Sequence, residues 1–232
     1  MSALSGIKIS TPSKKDKIPS SGKSVELTPF RVGDEKVLLL ASESKDSGEI
    51  LLAIKNVIAN CSKGIDVEQL ASFDIEYLFL KLRAISVGET AKIGLKCTNC
   101  ETSNIVSVDL SKVKVEKSKD HKSLIKISDE LGFEMKYPDL DVAVTMTDDA
   151  DSIMNVICNS VKVVYWGDEV IEITEDEMED LEGILNQLTS AQFKDIQQFF
   201  LTMPKLKENI DFTCTHCKEE NKTVLEGMQS FF

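Results

Sequence analysis

Four of the six cysteines fall into two Cys-x-x-Cys pairs, Cys97/Cys100 and Cys214/Cys217. Two residues between cysteines let both thiolates of a pair reach one tetrahedral ion, and a second pair completes a four-sulfur set. With every position filled by protein, no place remains for water or substrate. Such a site is structural, and its expected cofactor is Zn2+. The flanks of the two pairs match. Ile93-Gly-Leu-Lys-Cys97 and Ile210-Asp-Phe-Thr-Cys214 each lead in with apolar/polar alternation. Ile105-Val-Ser-Val-Asp-Leu110 and Thr223-Val-Leu-Glu226 lead away in the same manner. Strand, turn, strand, twice over, outlines a zinc ribbon whose halves meet in space.

The separation is unusual, because 113 residues lie between Cys100 and Cys214. Either a large segment is inserted between the ribbon halves, or each pair serves something different. Two reduced or disulfide-bonded pairs near a surface are the plain alternative. A Cys-x-x-Cys redox protein is another, but it needs its first cysteine at a helix N-terminus, where the dipole lowers the thiol pKa. The β-like alternation after both pairs weighs against that reading.

Chemistry elsewhere is thin. There is no Gly-rich phosphate loop, no G-x-S-x-G and no H-E-x-x-H. Asp148, Asp149 and Asp151 lack the spacing and glycine of a calcium loop. With two histidines and no nucleophile partner near either, no catalytic residue can be named, and an enzyme is not expected.

The 232 residues suffice for one sizeable core, or a core with a satellite. A hydrophobic content of 42% with 28% charged residues is that of an ordinary globular protein. No apolar run approaches the ~20 residues that span a bilayer, so no membrane partner is expected. Metal-type cysteine spacing suits a reducing compartment. A net charge of -12 would be repelled by a phosphate backbone, so no nucleic acid is expected.

The fold class that follows is α+β: a zinc-ribbon-like β subdomain split by a helical insertion, plus an N-terminal helical segment. Residues 1–26 carry five lysines in their first 25 positions against one acid, Asp16, and are expected to be a disordered basic arm. Residues 27–90 are expected to hold short strands at 27–31 and 36–41 and then two helices. Apolar residues recur at helical spacing from Ile50 to Cys61, and the second helix, from Asp66 to Ile85, is apolar around much of its circumference. Residues 91–137 are the first ribbon half with a β extension, in which His121 reads as solvated. Residues 138–206 are an acidic helical insert: 139–182 hold 14 acidic residues and one lysine, Lys162. Thr174 to Glu177 form a capping box, Ser190 can cap the next helix, and Pro204 stops it. Cys61 and Cys158 fall on apolar helical faces as core residues. Residues 207–232 are the second ribbon half and an aromatic C-terminus, Phe231-Phe232.

Three stretches, taken in order with the two knuckles, resemble one known family. They are Leu27-Thr-Pro-Phe-Arg-Val-Gly-Asp-Glu-Lys36, Asp74-Ile-Glu-Tyr-Leu-Phe-Leu-Lys-Leu-Arg83 leading into Ser86-Val-Gly-Glu89, and Phe199-Phe-Leu-Thr-Met-Pro-Lys-Leu206. Over roughly residues 27–226 the chain resembles the baseplate hub and hub-assembly proteins of T4-like contractile-tailed bacteriophages. The resemblance implies a non-enzymatic component of a phage tail, with other baseplate and tail proteins as partners in a hetero-oligomeric assembly. It implies the host cytoplasm during assembly and the virion tail baseplate as locations. The residues suggest how such a protein would work: zinc on Cys97, Cys100, Cys214 and Cys217 joins distant segments and holds the insert as a docking surface. The face around Phe73, Tyr77 and Phe79, or the terminal Phe pair, is expected to meet the neighbours. A zinc-ribbon module of nucleic-acid handling or transcription is the rival from another class, although Lys96, Lys218 and Lys222 are countered by Glu101, Glu219 and Glu220.

Overall fold

The structure is a computed structural model that describes residues 9–147 and 149–231. In chain order it begins with β1 (Lys14–Lys17), β2 (Ser24–Leu27), α1 (Val32–Ser44), α2 (Ser47–Cys61) and β3 (Ser62–Lys63). Next come α3 (Ser72–Ser86), β4 (Thr90–Lys96), β5 (Ser103–Asp109), β6 (Lys114–Glu116), β7 (Leu124–Lys126) and β8 (Leu131–Met135). The remainder is α4 (Leu140–Val144), α5 (Ala150–Ser160), β9 (Val161–Trp166), β10 (Glu169–Glu172), α6 (Met178–Leu185), α7 (Ser190–Thr202), β11 (Lys205–Thr213) and β12 (Glu220–Glu226). The mixture of helices and antiparallel sheets is α+β, as the sequence suggested. Two compact units divide the chain. One holds Met1–Val67, Asp74–Lys114 and Lys207–Phe232; the other holds Glu68–Phe73 and Val115–Leu206.

The first unit corrects the reading of the basic arm. Residues 1–8 lie outside the described residues, but β1 and β2 pair antiparallel from Lys14↔Leu27 to Lys17↔Ser24, so 14–27 form a hairpin. Apolar burial holds it, since Ile18, Val25 and Leu27 are each at most 3% exposed. The one acid of the arm is also used: the Tyr77 hydroxyl donates to both oxygens of Asp16, at 3.2 and 3.3 Å. Burial, followed by the charge of Asp16, pushes the Tyr77 pKa up to about 12.

A second correction concerns residues 32–44, which are the helix α1 and not strands around a turn. A short apolar run such as Val37-Leu-Leu-Leu40 cannot be assigned by periodicity alone. Its start decides the matter: the Asp34 carboxylate accepts the Arg31 backbone N–H at 2.9 Å, and Asp34 and Glu35 favour the positive end of the helix. Only Ala41 of α1 is buried, and Val37, Leu39 and Leu40 face solvent. Helix α2 begins at the cap Asp46 and buries Leu51, Ile54, Ile58 and Cys61 of the face expected from their spacing, with Val57 added and Ile50 only partly buried. In α3, Phe73 and Phe79 are 2% and 7% exposed, so two of the three residues of the face expected to meet neighbours are enclosed, while Tyr77 is partly exposed.

The second unit is built on an antiparallel sheet of order β10-β9-β8-β7. Phe133 pairs with Val164, so the β extension and the helical insert expected as separate regions share one sheet. Asp149 and Thr189 start α5 and α7 by accepting the Ser152 and Gln192 N–H groups; Thr189, not Ser190, is the cap of α7. The Thr174–Glu177 capping box forms as expected. Against the sheet pack Ile157 and Cys158 of α5, Leu181 and Leu185 of α6, and Ile196 and Phe199 of α7. Burying such side chains is worth about 1.5–3 kcal/mol each, which ties the helices to the sheet.

His121 is only partly exposed, not the solvated side chain expected. Its ring lies 5.5 Å from the Tyr137 ring and 4.9 Å from that of Phe199, and its Nδ1 is 3.0 Å from the Thr202 hydroxyl. Burial, aided by the charge of Lys117, lowers its pKa from 6.5. The unfolded chain therefore takes up this proton first, and the contribution is complete above pH 6.5 and lost as the pH falls below it. His121→Gln, which does not titrate, should flatten the loss of stability as the pH falls below 6.5. Thermal melts across that range check it, and an unchanged slope would place the acid sensitivity elsewhere.

Candidate metal centre

All four candidate ligands lie in the first unit, at the turns of two hairpins. β4 and β5 pair from Thr90↔Asp109 to Lys96↔Ser103, which leaves 97–102 as the turn. β11 and β12 pair as far as Thr213↔Glu220, which leaves 214–219. Ala91, Ile93 and Val108 of one hairpin and Ile210 and Leu225 of the other are buried, the period-2 pattern that the alternation required.

The two turns have the same backbone. Cys97 N–H donates to the Thr102 carbonyl at 3.0 Å, and Glu101 N–H to the Cys97 carbonyl at 2.9 Å. Cys214 N–H donates to the Glu219 carbonyl at 2.8 Å, and Lys218 N–H to the Cys214 carbonyl at 3.1 Å. Glu101 and Lys218, each following the second cysteine, both take the left-handed conformation, with φ of 56° and 65°.

The turns face each other, so the sulfurs interleave. Cys97 Sγ is 3.6 Å from Cys217 Sγ, Cys100 Sγ is 3.7 Å from Cys214 Sγ, and all four lie within 4.8 Å of one another. A tetrahedral ion with metal–sulfur bonds of about 2.3 Å sets its sulfurs about 3.8 Å apart, so the quartet could hold a metal ion. The cysteines are free thiols, and neither pair opens a helix.

Two residues that the sequence reading did not single out complete the arrangement. Asn104 Oδ1 accepts from the backbone N–H and the hydroxyl of Thr215, at 2.8 and 2.9 Å. Its Nδ2 donates to the Thr102 carbonyl at 2.8 Å and to Cys214 Sγ at 3.6 Å. Asn221 repeats the pattern: Oδ1 accepts from Thr98 N–H and hydroxyl at 2.8 and 2.9 Å, and Nδ2 donates to the Glu219 carbonyl at 2.9 Å and to Cys97 Sγ at 3.5 Å. The signal was present in the sequence, as Cys-Thr-x-Cys-x-x-x-Asn occurs at both 97–104 and 214–221.

The sulfurs do not share one electrostatic environment. Hydrogen bonds from the backbone of Cys217, then of His216, and from the Asn104 amide bring the Cys214 thiol down to about 6. The Thr102 hydroxyl and backbone lower Cys100. At Cys217 the Glu219 backbone bond acts downward, but burial and the neighbouring sulfurs win and push it up to about 11. Four thiolates this close repel one another, so a bound cation must displace the last proton.

Against known protein families, the model described as T4 bacteriophage base plate protein matches residues 11–232. The chain belongs to that baseplate family. No characterised protein and no solved structure gave a match. The family assignment agrees with the resemblance read from 27–36, 74–89 and 199–206. Among the described residues of this baseplate protein, the only cluster of three or more Cys, His, Asp or Glu side chains suited to a metal is Cys97, Cys100, Cys214 and Cys217. No helix among them is long and apolar enough to cross a membrane.

The baseplate protein's other two cysteines stand apart, as read from the sequence. Cys61 and Cys158 are buried, and burial first of all pushes each thiol up to about 11. Neither should react with N-ethylmaleimide in the native protein near pH 7.5, where a thiol of pKa about 11 is under 0.1% ionised. Both should react after unfolding in guanidinium. Peptide mass mapping checks this, and native modification of Cys158 would contradict its place in the core.

Proposed function

We propose that the protein is a non-enzymatic structural or assembly component of the baseplate hub of a contractile phage tail, with a structural Zn2+ held by Cys97, Cys100, Cys214 and Cys217. The family match over 11–232 carries the tail assignment. The four converging sulfurs support the metal, and a set of four cysteines favours zinc over harder cations. The two hairpins then act as the halves of a zinc ribbon, and the ion closes the distance between segments far apart in the chain. It would also strengthen the unit, since structural zinc supplies ~10 kcal/mol or more in small domains.

The working mode is contact with other tail proteins in a hetero-oligomeric assembly, formed in the host cytoplasm and carried into the virion baseplate. With Phe73 and Phe79 enclosed, Val37, Leu39 and Leu40 on α1 offer the apolar surface that a neighbour would cover. The redox alternative loses support because both cysteine pairs sit in hairpin turns.

Elemental analysis of the purified full chain should find close to one zinc per molecule, lost in Cys97→Ser and Cys214→Ser. Absence of zinc at neutral pH would end the ribbon reading. In lysate from infected cells the protein should co-sediment with baseplate intermediates. Leu39→Lys with Leu40→Lys should weaken that association while leaving zinc content unchanged. Sedimentation apart from tail proteins would remove the hub assignment.

A further inference from the structure

We propose that Asn104 and Asn221 form a crossed latch that docks the two cysteine turns on each other without help from a metal, and that this latch leaves Cys100 and Cys217 as the side of the cage where ligands exchange. The exchange part rests on reading the quartet as a metal site; the docking part does not.

A primary amide can accept two hydrogen bonds at its oxygen and donate two from its nitrogen. Both asparagines use all four, and both are 3% exposed. For each amide, the bonds to the threonine N–H, the threonine hydroxyl and the cysteine sulfur cross to the other hairpin. The fourth, to Thr102 or Glu219, stays in its own turn and fixes the amide's orientation. Every partner is a protein group. Parting the hairpins would strand two buried amides, which is unfavourable whether or not an ion lies between the sulfurs.

The latch also distinguishes the sulfurs. Its N–H groups reach Cys97 and Cys214, which are 1% and 0% exposed. Cys100 and Cys217 are partly exposed and receive neither amide. Beyond the quartet, Cys100 has the Thr102 hydroxyl at 3.3 Å and the Thr102 backbone, and Cys217 has the exposed Asn99 amide at 3.8 Å and the Glu219 backbone. Exposure separates the pairs: Cys97 and Cys214 are sealed beneath the latch, while Cys100 and Cys217 can be reached from solvent. A chelator, a competing metal or an electrophile therefore enters through Cys100 and Cys217.

The test uses the full chain. After removal of metal with EDTA, mild oxidation with diamide should give cross-turn disulfides in the wild type, Cys97–Cys217 and Cys100–Cys214, by peptide mapping. In N104A/N221A the pattern should shift to Cys97–Cys100 and Cys214–Cys217. Within-turn pairs in the wild type would overturn docking without metal. Titration with Co2+ should show the double variant binding roughly 10–100-fold more weakly while keeping the charge-transfer absorption of four thiolates. Equal affinity would overturn the latch. Should the double variant fail to fold, T98V/T215V removes only the hydroxyl arms and should lower affinity in the same sense. In the metal-loaded wild type, iodoacetamide should modify Cys100 and Cys217 first; equal rates at all four would overturn the sidedness. A wild type that binds no Co2+ would overturn the metal reading and the exchange side with it, while the disulfide map still decides the docking.

Discussion

Two turns more than a hundred residues apart in the chain have to meet with four sulfurs pointing inward, and the first unit is arranged around that requirement. The two turns begin at the same point of their hairpins, since the register of β4–β5 and of β11–β12 ends one residue before the first cysteine. Glu101 and Lys218 accept a left-handed conformation that favours glycine, so that each turn closes tightly enough to aim both of its sulfurs at one point. Behind the turns, Lys81 of α3 donates to the carbonyls of Leu110, Ser111 and Val113, at 3.3, 2.9 and 3.2 Å. These bonds fix the chain where it leaves β5. Burial lowers the Lys81 pKa, as expected for an ammonium drawn out of water to satisfy carbonyls.

The second unit follows ordinary sheet-and-helix physics. Three helices lay apolar stripes on a sheet, and the described acids of 139–182 fall at caps or on exposed positions, Asp148 lying outside the described residues. The negative charge of this region therefore has a local explanation in helix starts, with no ion required. His121 shows the opposite case, a titratable ring drawn into an aromatic cluster, where its neutral form is favoured.

Much of the site was legible in the sequence because local chemistry dictates it. A Cys-x-x-Cys between alternating strands fixes the turn and the pair of sulfurs it presents. The places of Cys61 and Cys158 could likewise be read from helical periodicity. The asparagines were harder to see, because their significance lies in pairing with the other turn and appears only when 97–104 and 214–221 are aligned. The errors have physical causes as well. In α1, the run Val37-Leu-Leu-Leu40 carries no decisive period, and one carboxylate at Asp34 tips it to helix. In the basic arm, three buried side chains and a tyrosine far along the chain outweigh a polar composition. The position of His121 depends on Tyr137 and Phe199, contacts that local pattern does not encode.

The interleaving of the turns also sets an order of events on the ribosome. When Cys97 and Cys100 emerge, their counterparts are still 113 residues away along the message. At translation speeds of about 5–20 residues per second the first hairpin waits roughly 6–23 s with two of the four thiols in place. Through that interval residues 115–206 can collapse on their own sheet. The centre is thus among the last parts of the molecule to mature, and the nascent chain carries two uncommitted thiols until it does.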